Sequence, residues 1–224
     1  MRKHLFLAML LVLGTFYSFG QVKYSNGINY APPLQIDSSD YFIIGSLVNK
    51  SNKLKYNFDN KNQFEGYDGQ IKFWTNVFIH SIKDKKIKKM FPSDLVAVYP
   101  MQNTMLYVRF DYGYYEPNKM LSGMSSDHLI YLVRTDEYNK DGILDEDDPV
   151  YLYVSTKTGE SLKQITPVGM SVTNWKMARD GKTIIATIQN DKNNDKKFED
   201  EDETIYQIDL NQDISKIKCS PVGL

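Results

Sequence analysis

Apolar and β-branched residues fall in short runs separated by polar turn segments, and no long stretch keeps a helical period. The runs Tyr41–Val48, Ile71–Ile79, Leu95–Tyr99, Met105–Phe110, Leu129–Val133, Val150–Val154, Thr183–Ile188 and Thr204–Leu210 read as strands. Lys157-Thr158-Gly159-Glu160 and Arg179-Asp180-Gly181-Lys182 read as tight turns, because Gly supplies the left-handed backbone such turns need. Lys83–Lys89 is charge-rich and short, which fits a solvated hairpin better than a helix. The pattern predicts an all-β chain.

The pattern also repeats. A shift of 54 residues, without a gap, lays Leu129–Val133 on Thr183–Thr187. It lays Glu137, Asn139, Asp141 and Asp148 on Asp191, Asn193, Asp195 and Asp202, and Pro167 on Pro221. A shift of 75 lays Val77–Ser81 on Leu152–Thr156, and Ile87–Pro92 on Leu162–Pro167. Three related units follow, spanning about 41–92, 95–167 and 171–221, with extra material near 95–127 in the second. Each offers a strand, a long polar loop, a second strand, a tight turn and a short edge strand. That is the content of a four-stranded antiparallel blade.

Residues Asn174–Ala186 put a tryptophan ahead of an Asp-Gly turn and an apolar strand, and Thr204–Leu210 supplies the next strand. This arrangement resembles a blade of the TolB-type β-propellers. The resemblance covers about 50 residues well and implies architecture, not activity. Three units are fewer than a closed propeller uses. The expected fold is a partial or open β-propeller-like stack of about three blades, with a β-sandwich as the alternative and completion by oligomerisation as a third arrangement.

Two loops between strands carry chemistry. One runs from Glu137 to Asp148, the other from Asp191 to Asp202. Each places oxygen-bearing side chains at positions one, three, five, nine and twelve: Glu137, Asn139, Asp141, Asp145 and Asp148, then Asp191, Asn193, Asp195, Glu199 and Asp202. This spacing resembles the EF-hand calcium loop, in which a hard cation gathers six to eight oxygens. Position seven, Ile143 or Lys197, would add a backbone carbonyl. Leu144 and Phe198 at position eight are apolar and suited to anchor each loop. The loops depart from the family in four ways. Asp replaces Glu at position twelve, Glu137 stands at position one with Asp136 beside it, Lys196 stands where the turn favours Gly, and strands replace the helices. Residues 136–148 and 191–203 hold seven acidic side chains each, a density that repels itself unless neutralised. Two calcium ions in a structural role are expected. The corresponding stretch of the first unit, Asn57-Phe58-Asp59-Asn60, lacks the pattern and is expected to be metal-free.

The N-terminus has the order of an export signal: Arg2 and Lys3, the apolar run Leu5–Leu13, then Ser18 and Gly20 before Gln21. The run is too short to span a bilayer as a helix. The expected mature chain is 21–224, one all-β domain with no transmembrane segment, secreted or periplasmic. Of 224 residues, 42% are hydrophobic and 25% charged, which excludes wholesale disorder. A net charge of −1 gives no broad attraction to nucleic acid. A lone cysteine, Cys219, excludes an internal disulfide and reads as a packed or unpaired thiol.

No nucleophile elbow, phosphate-binding Gly loop or His-Glu-x-x-His helix occurs. His80 and His128 stand alone, read as a strand-face and a turn histidine. The aromatic stretch Tyr107, Phe110, Tyr112, Tyr114 and Tyr115 reads as packing aromatics leading into an insertion at 111–126, rather than a sugar- or peptide-stacking platform. The function expected is an exported calcium-binding β-repeat protein that binds a protein or polysaccharide ligand, or serves structurally, at the cell envelope or outside the cell. The alternative is a secreted hydrolase-type enzyme with a carboxylate pair in a cleft.

Overall fold

The computed structural model describes residues 28–36, 39–47, 73–93, 95–98, 127–198 and 202–223, with the backbone of 56–57. The export segment 1–20, the expected strand Met105–Phe110, the aromatic insertion, Phe58–Asn60 and Glu199 lie outside these residues. Among the described residues the protein is built of antiparallel sheets and one short parallel pair, and its one regular helical piece is a 3-10 turn at Ile214–Lys216. No helix among them is long and apolar enough to cross a membrane.

The first sheet holds β1 (Asn29–Tyr30), β2 (Leu34–Gln35), β3 (Tyr41–Leu47), β5 (Asn76–Ser81) and β6 (Lys86–Lys89). Its β1 and β2 both lie along β3, so this sheet has five strands rather than the expected four. The second sheet runs β7 (Ala97–Val98), β8 (His128–Arg134), β10 (Tyr151–Thr156) and β11 (Lys163–Gln164). The third runs β12 (Met170–Met177), β13 (Thr183–Asn190), β14 (Glu203–Asp209) and β15 (Cys219–Pro221). A short parallel pair joins β4 (Tyr56–Asn57) to β9 (Leu144–Asp145). Among the described residues no sheet closes into a barrel. The all-β architecture of antiparallel sheets expected from the sequence is observed, and it fits an open blade-like or a sandwich arrangement.

The sheets stack face to face around two cores. Trp74, Val77, Ile79 and Phe91 of the first sheet region pack with Leu129, Tyr131 and Val133 of β8. Ile130 and Leu132, on the other face of β8, pack with Ile184, Ala186, Ile188 and Ile208 of the third sheet. A strand alternates its side chains between faces, so a strand buried on both sides needs an unbroken apolar run. His128–Arg134 is such a run, and every residue after His128 is buried. In β13 only one face is covered: Ile184, Ala186 and Ile188 are buried and Ile185 is exposed.

The sheets are also tied at their edges. Lys88 Nζ donates to Gly159 O at 2.7 Å, linking the first sheet to the turn between β10 and β11. Lys163 Nζ donates to Ser215 O at 2.7 Å and Ile217 O at 2.8 Å, linking the second sheet to the segment between β14 and β15. These two lysines are 75 residues apart and occupy corresponding strands, β6 and β11.

The 54-residue correspondence is kept in register. Leu132 pairs with Leu152, and Ala186 with Tyr206, each residue displaced by the same 54. The shift also matches the face between the second and third sheets: Ile130 and Leu132 of β8 correspond to Ile184 and Ala186 of β13, and all four are buried in one core. These two sheets therefore meet through equivalent faces. The other face differs: Leu129, Tyr131 and Val133 are buried against the first sheet, whereas Ile185 of β13 is exposed.

Both acidic loops join the second and third strands of their sheets, β8 to β10 and β13 to β14. The first sheet's corresponding connection, between β3 and β5, contributes β4, which lies parallel to β9 inside the first acidic loop. The three connections therefore come together at one end of the stack.

Candidate metal centre

In the first loop Gly142 N donates to Glu137 Oε1 at 2.8 Å, Asp141 N to Asn139 Oδ1 at 3.0 Å, and Ile143 N to Asp141 Oδ1 at 2.8 Å. In the second, Lys196 N donates to Asp191 Oδ2 at 3.3 Å, Asp195 N to Asn193 Oδ1 at 2.8 Å, and Lys197 N to Asp195 Oδ1 at 2.9 Å. Each bond in one loop has its counterpart 54 residues away in the other. Positive φ recurs at the same places: Lys140 (64°) and Gly142 (90°), then Asn194 (60°) and Lys196 (69°). Two loops of different sequence thus coil alike, with position one accepting from position six, three from five, and five from seven. Glu137, not Asp136, holds position one of the first loop. Asp136 lies instead near the buried Tyr151 phenol, whose pKa is raised chiefly by burial and then by that carboxylate.

The apolar anchors behave as expected. Leu144 is fully buried and Phe198 is buried. Position twelve differs between the loops. Asp148 is 1% exposed and closes the first loop, accepting from Tyr138 N on Oδ1 and from Asp145 N at 3.0 Å on Oδ2. Burial pushes its pKa up to about 6, against the lowering effect of those two bonds and of Arg134. Asp145 is shifted up as well, first by desolvation. Its Oδ1 accepts from Asp147 N at 3.0 Å. In the second loop Asp202 stays outside, its side chain 90% exposed and paired with Lys192 Nζ at 3.3 Å.

The buried carboxylate of the second loop is Asp191, at position one. Its side chain is 0% exposed. Oδ2 accepts from Lys196 N and from the Tyr138 hydroxyl at 3.0 Å, while Oδ1 is buried with no hydrogen-bond partner among the described residues. The Lys196 ammonium lies 3.9 Å from Oδ2. An orphaned buried carboxylate oxygen is costly in a low-dielectric setting, and a hard cation is the partner that most relieves it.

Among the described residues no three His, Cys, Asp or Glu side chains are gathered as a ready-made cluster. The carboxylates are turned to backbone amides, Asp202 faces solvent and Glu199 is outside the described residues. The donor set remains all oxygen and loop-borne, which suits calcium rather than a soft transition metal.

Sequence spacing missed Tyr138, the residue that joins the loops. Its ring lies 5.7 Å from that of Phe198, and Lys196 Nζ sits 4.3 Å from the ring centre. The signal was an aromatic side chain at position two, between the polar residues Glu137 and Asn139.

The isolated candidates stay apart from this centre. His80 Nδ1 lies 3.1 Å from Lys86 O across the β5–β6 hairpin. His128 begins β8 rather than sitting in a turn, and desolvation lowers its pKa against the pull of Asp127. Cys219 is a free, half-buried thiol whose pKa burial raises to about 11. One cavity of about 530 Å³, bordered by Trp175, Arg179, Ile185 and Ile205, has no carboxylate in its lining, and another of about 680 Å³ has Asp209 alone. Asp209 is half-buried, and bonds donated by Asn211 and Gln212 hold its pKa below the usual range.

No family model, curated protein or solved structure matches the chain.

Proposed function

We propose that this is an exported calcium-binding β-repeat protein, with a structural or ligand-binding role at the cell envelope or outside the cell. Each acidic loop takes one calcium ion. Glu137, Asn139, Asp141, the Ile143 carbonyl, Asp145 and Asp148 serve the first. Asp191, Asn193, Asp195, the Lys197 carbonyl, Glu199 and Asp202 serve the second. The observation that carries this reading is Asp191: a fully buried carboxylate with one oxygen lacking any donor among the described residues, at position one of a loop that repeats its neighbour's hydrogen bonds. The ions would neutralise loops that otherwise concentrate negative charge and would fix the connected end of the stack, where a protein or polysaccharide could dock.

The test is thermal unfolding of residues 21–224 in EDTA and in calcium. For a dissociation constant of about 0.1 mM, 10 mM calcium adds roughly 2.7 kcal/mol per site. Two sites then raise the midpoint by roughly 10–20 °C. Asp141→Ala and Asp195→Ala should each remove one ion from the measured stoichiometry. An identical midpoint in EDTA and in calcium would reduce both loops to plain acidic connections.

A further inference from the structure

We propose that Tyr138 couples the two loops, so that calcium in the first loop primes the second; this rests on the calcium reading above. Tyr138 occupies position two of the first loop, and its backbone N–H donates to Asp148 Oδ1, the carboxylate that closes that loop. Its hydroxyl donates at 3.0 Å to Asp191 Oδ2, the position-one carboxylate of the second loop. One residue therefore touches a ligand of each site, with its main chain in one and its side chain in the other.

The second loop leans on that residue for its shape. Lys196 sits at the left-handed position six, and its ammonium reaches back to the Tyr138 hydroxyl at 3.3 Å and lies over the ring at 4.3 Å. Phe198, the anchor of the second loop, packs against the same ring. Fixing Tyr138 thus fixes the direction of Asp191, the placement of Lys196 and the seat of Phe198.

The order of filling follows from the differences between the loops. The first has Gly at position six and a buried Asp148 already drawn in by two amides. The second has a lysine near its position-one carboxylate and leaves Asp202 exposed. The first loop is the tighter site. A cation drawn to Glu137 and Asp148 immobilises the chain between them, Tyr138 included, and so lowers the ordering cost of the second site. That is positive coupling through a shared, immobilised group.

The experiment is a calcium titration of the full chain followed by NMR at the Gly142 and Lys196 amides, each of which donates to position one of its own loop. In the native chain the Gly142 amide should respond at lower calcium than Lys196. In Asp141→Ala the midpoint at Lys196 should rise roughly five-fold or more, the lower end of ordinary coupling. Tyr138→Phe keeps the ring over Phe198 and Lys196 but removes the hydroxyl; both loops should still bind, and Asp141→Ala in that background should no longer move the Lys196 midpoint. If both amides respond but the Lys196 midpoint is the same with and without Asp141→Ala, the coupling is overturned and the calcium sites stand. If neither amide responds up to 10 mM calcium, the calcium reading falls and the coupling with it.

Discussion

Gly45 in β3 lies flat against the indole of Trp74, so that a Cβ there would overlap Trp74 Cγ, Cδ2 and Cε2. Trp74 is buried in the core between the first and second sheets, so the ring has no free space to enter. Gly45→Ala should therefore strain a central strand and cost roughly 1–3 kcal/mol, as overpacking does. The thermal midpoint should fall by roughly 2–12 °C. In a Trp74→Leu background the same change should cost much less. Equal losses in both backgrounds would show that the clash is not the cause.

The two inter-sheet lysines should differ in worth. Lys163 spans the second and third sheets with two bonds to carbonyls, and Lys88 spans the first and second with one. Lys163→Met leaves two carbonyls without their charged donor and should cost roughly 1–3 kcal/mol; Lys88→Met should cost roughly 0.5–1.5 kcal/mol. Urea unfolding checks the order, provided the slope of each transition stays native. A larger loss at Lys88 would mean that the Lys163 bonds do not hold in solution.

Strands were legible where period and residue type agreed. Leu129–Val133 and Val150–Val154 are apolar without a break and became β8 and β10 of the doubly buried sheet. Met170–Met177 mixes Ser, Thr, Asn and Lys among its apolar residues and does not stand out as a strand, yet it forms β12 with a bulge near Val172. The buried face was not legible. Where consecutive residues such as Ile184 and Ile185 are equally apolar, sequence cannot say which turns inward, and packing decided for Ile184. The loops' ligand spacing was legible because it is local. Tyr138 was not, because its role depends on two connections meeting at one end of the stack, a relation between sheets rather than along the chain.

Cys219 should be a sluggish nucleophile. It is half buried on β15, and loss of hydration raises its pKa to about 11. The thiolate fraction near pH 8 falls accordingly, and the greater nucleophilicity of a more basic thiolate offsets part of the loss. Alkylation of the folded protein at that pH should run roughly ten-fold slower than in urea. A comparable rate in both would place the thiol in open solvent.

Position six separates backbone strain from charge. Gly142 has φ of 90°, and a Cβ built there would meet nothing within 4 Å. Gly142→Ala therefore probes conformation alone and should cost roughly 1–2 kcal/mol in EDTA. Lys196 already bears that strain at φ 69°, and its ammonium rests on the Tyr138 ring. In EDTA, Lys196→Gly should change stability little, since relief of the left-handed conformation is offset by the lost ring contact and the freer unfolded chain. In calcium the substitution becomes favourable. The ammonium stands 3.9 Å from Asp191 Oδ2, and a divalent ion bound to that carboxylate would be repelled by roughly 1–2 kcal/mol at a separation of a few ångström in water. Lys196→Gly should tighten the second loop about ten-fold, and Gly142→Lys should weaken the first by a similar factor. Calorimetric titration of the two variants separates the effects. An unchanged second-loop affinity in Lys196→Gly would show that the ammonium swings clear when the ion binds, leaving strain as the only difference between the loops at this position.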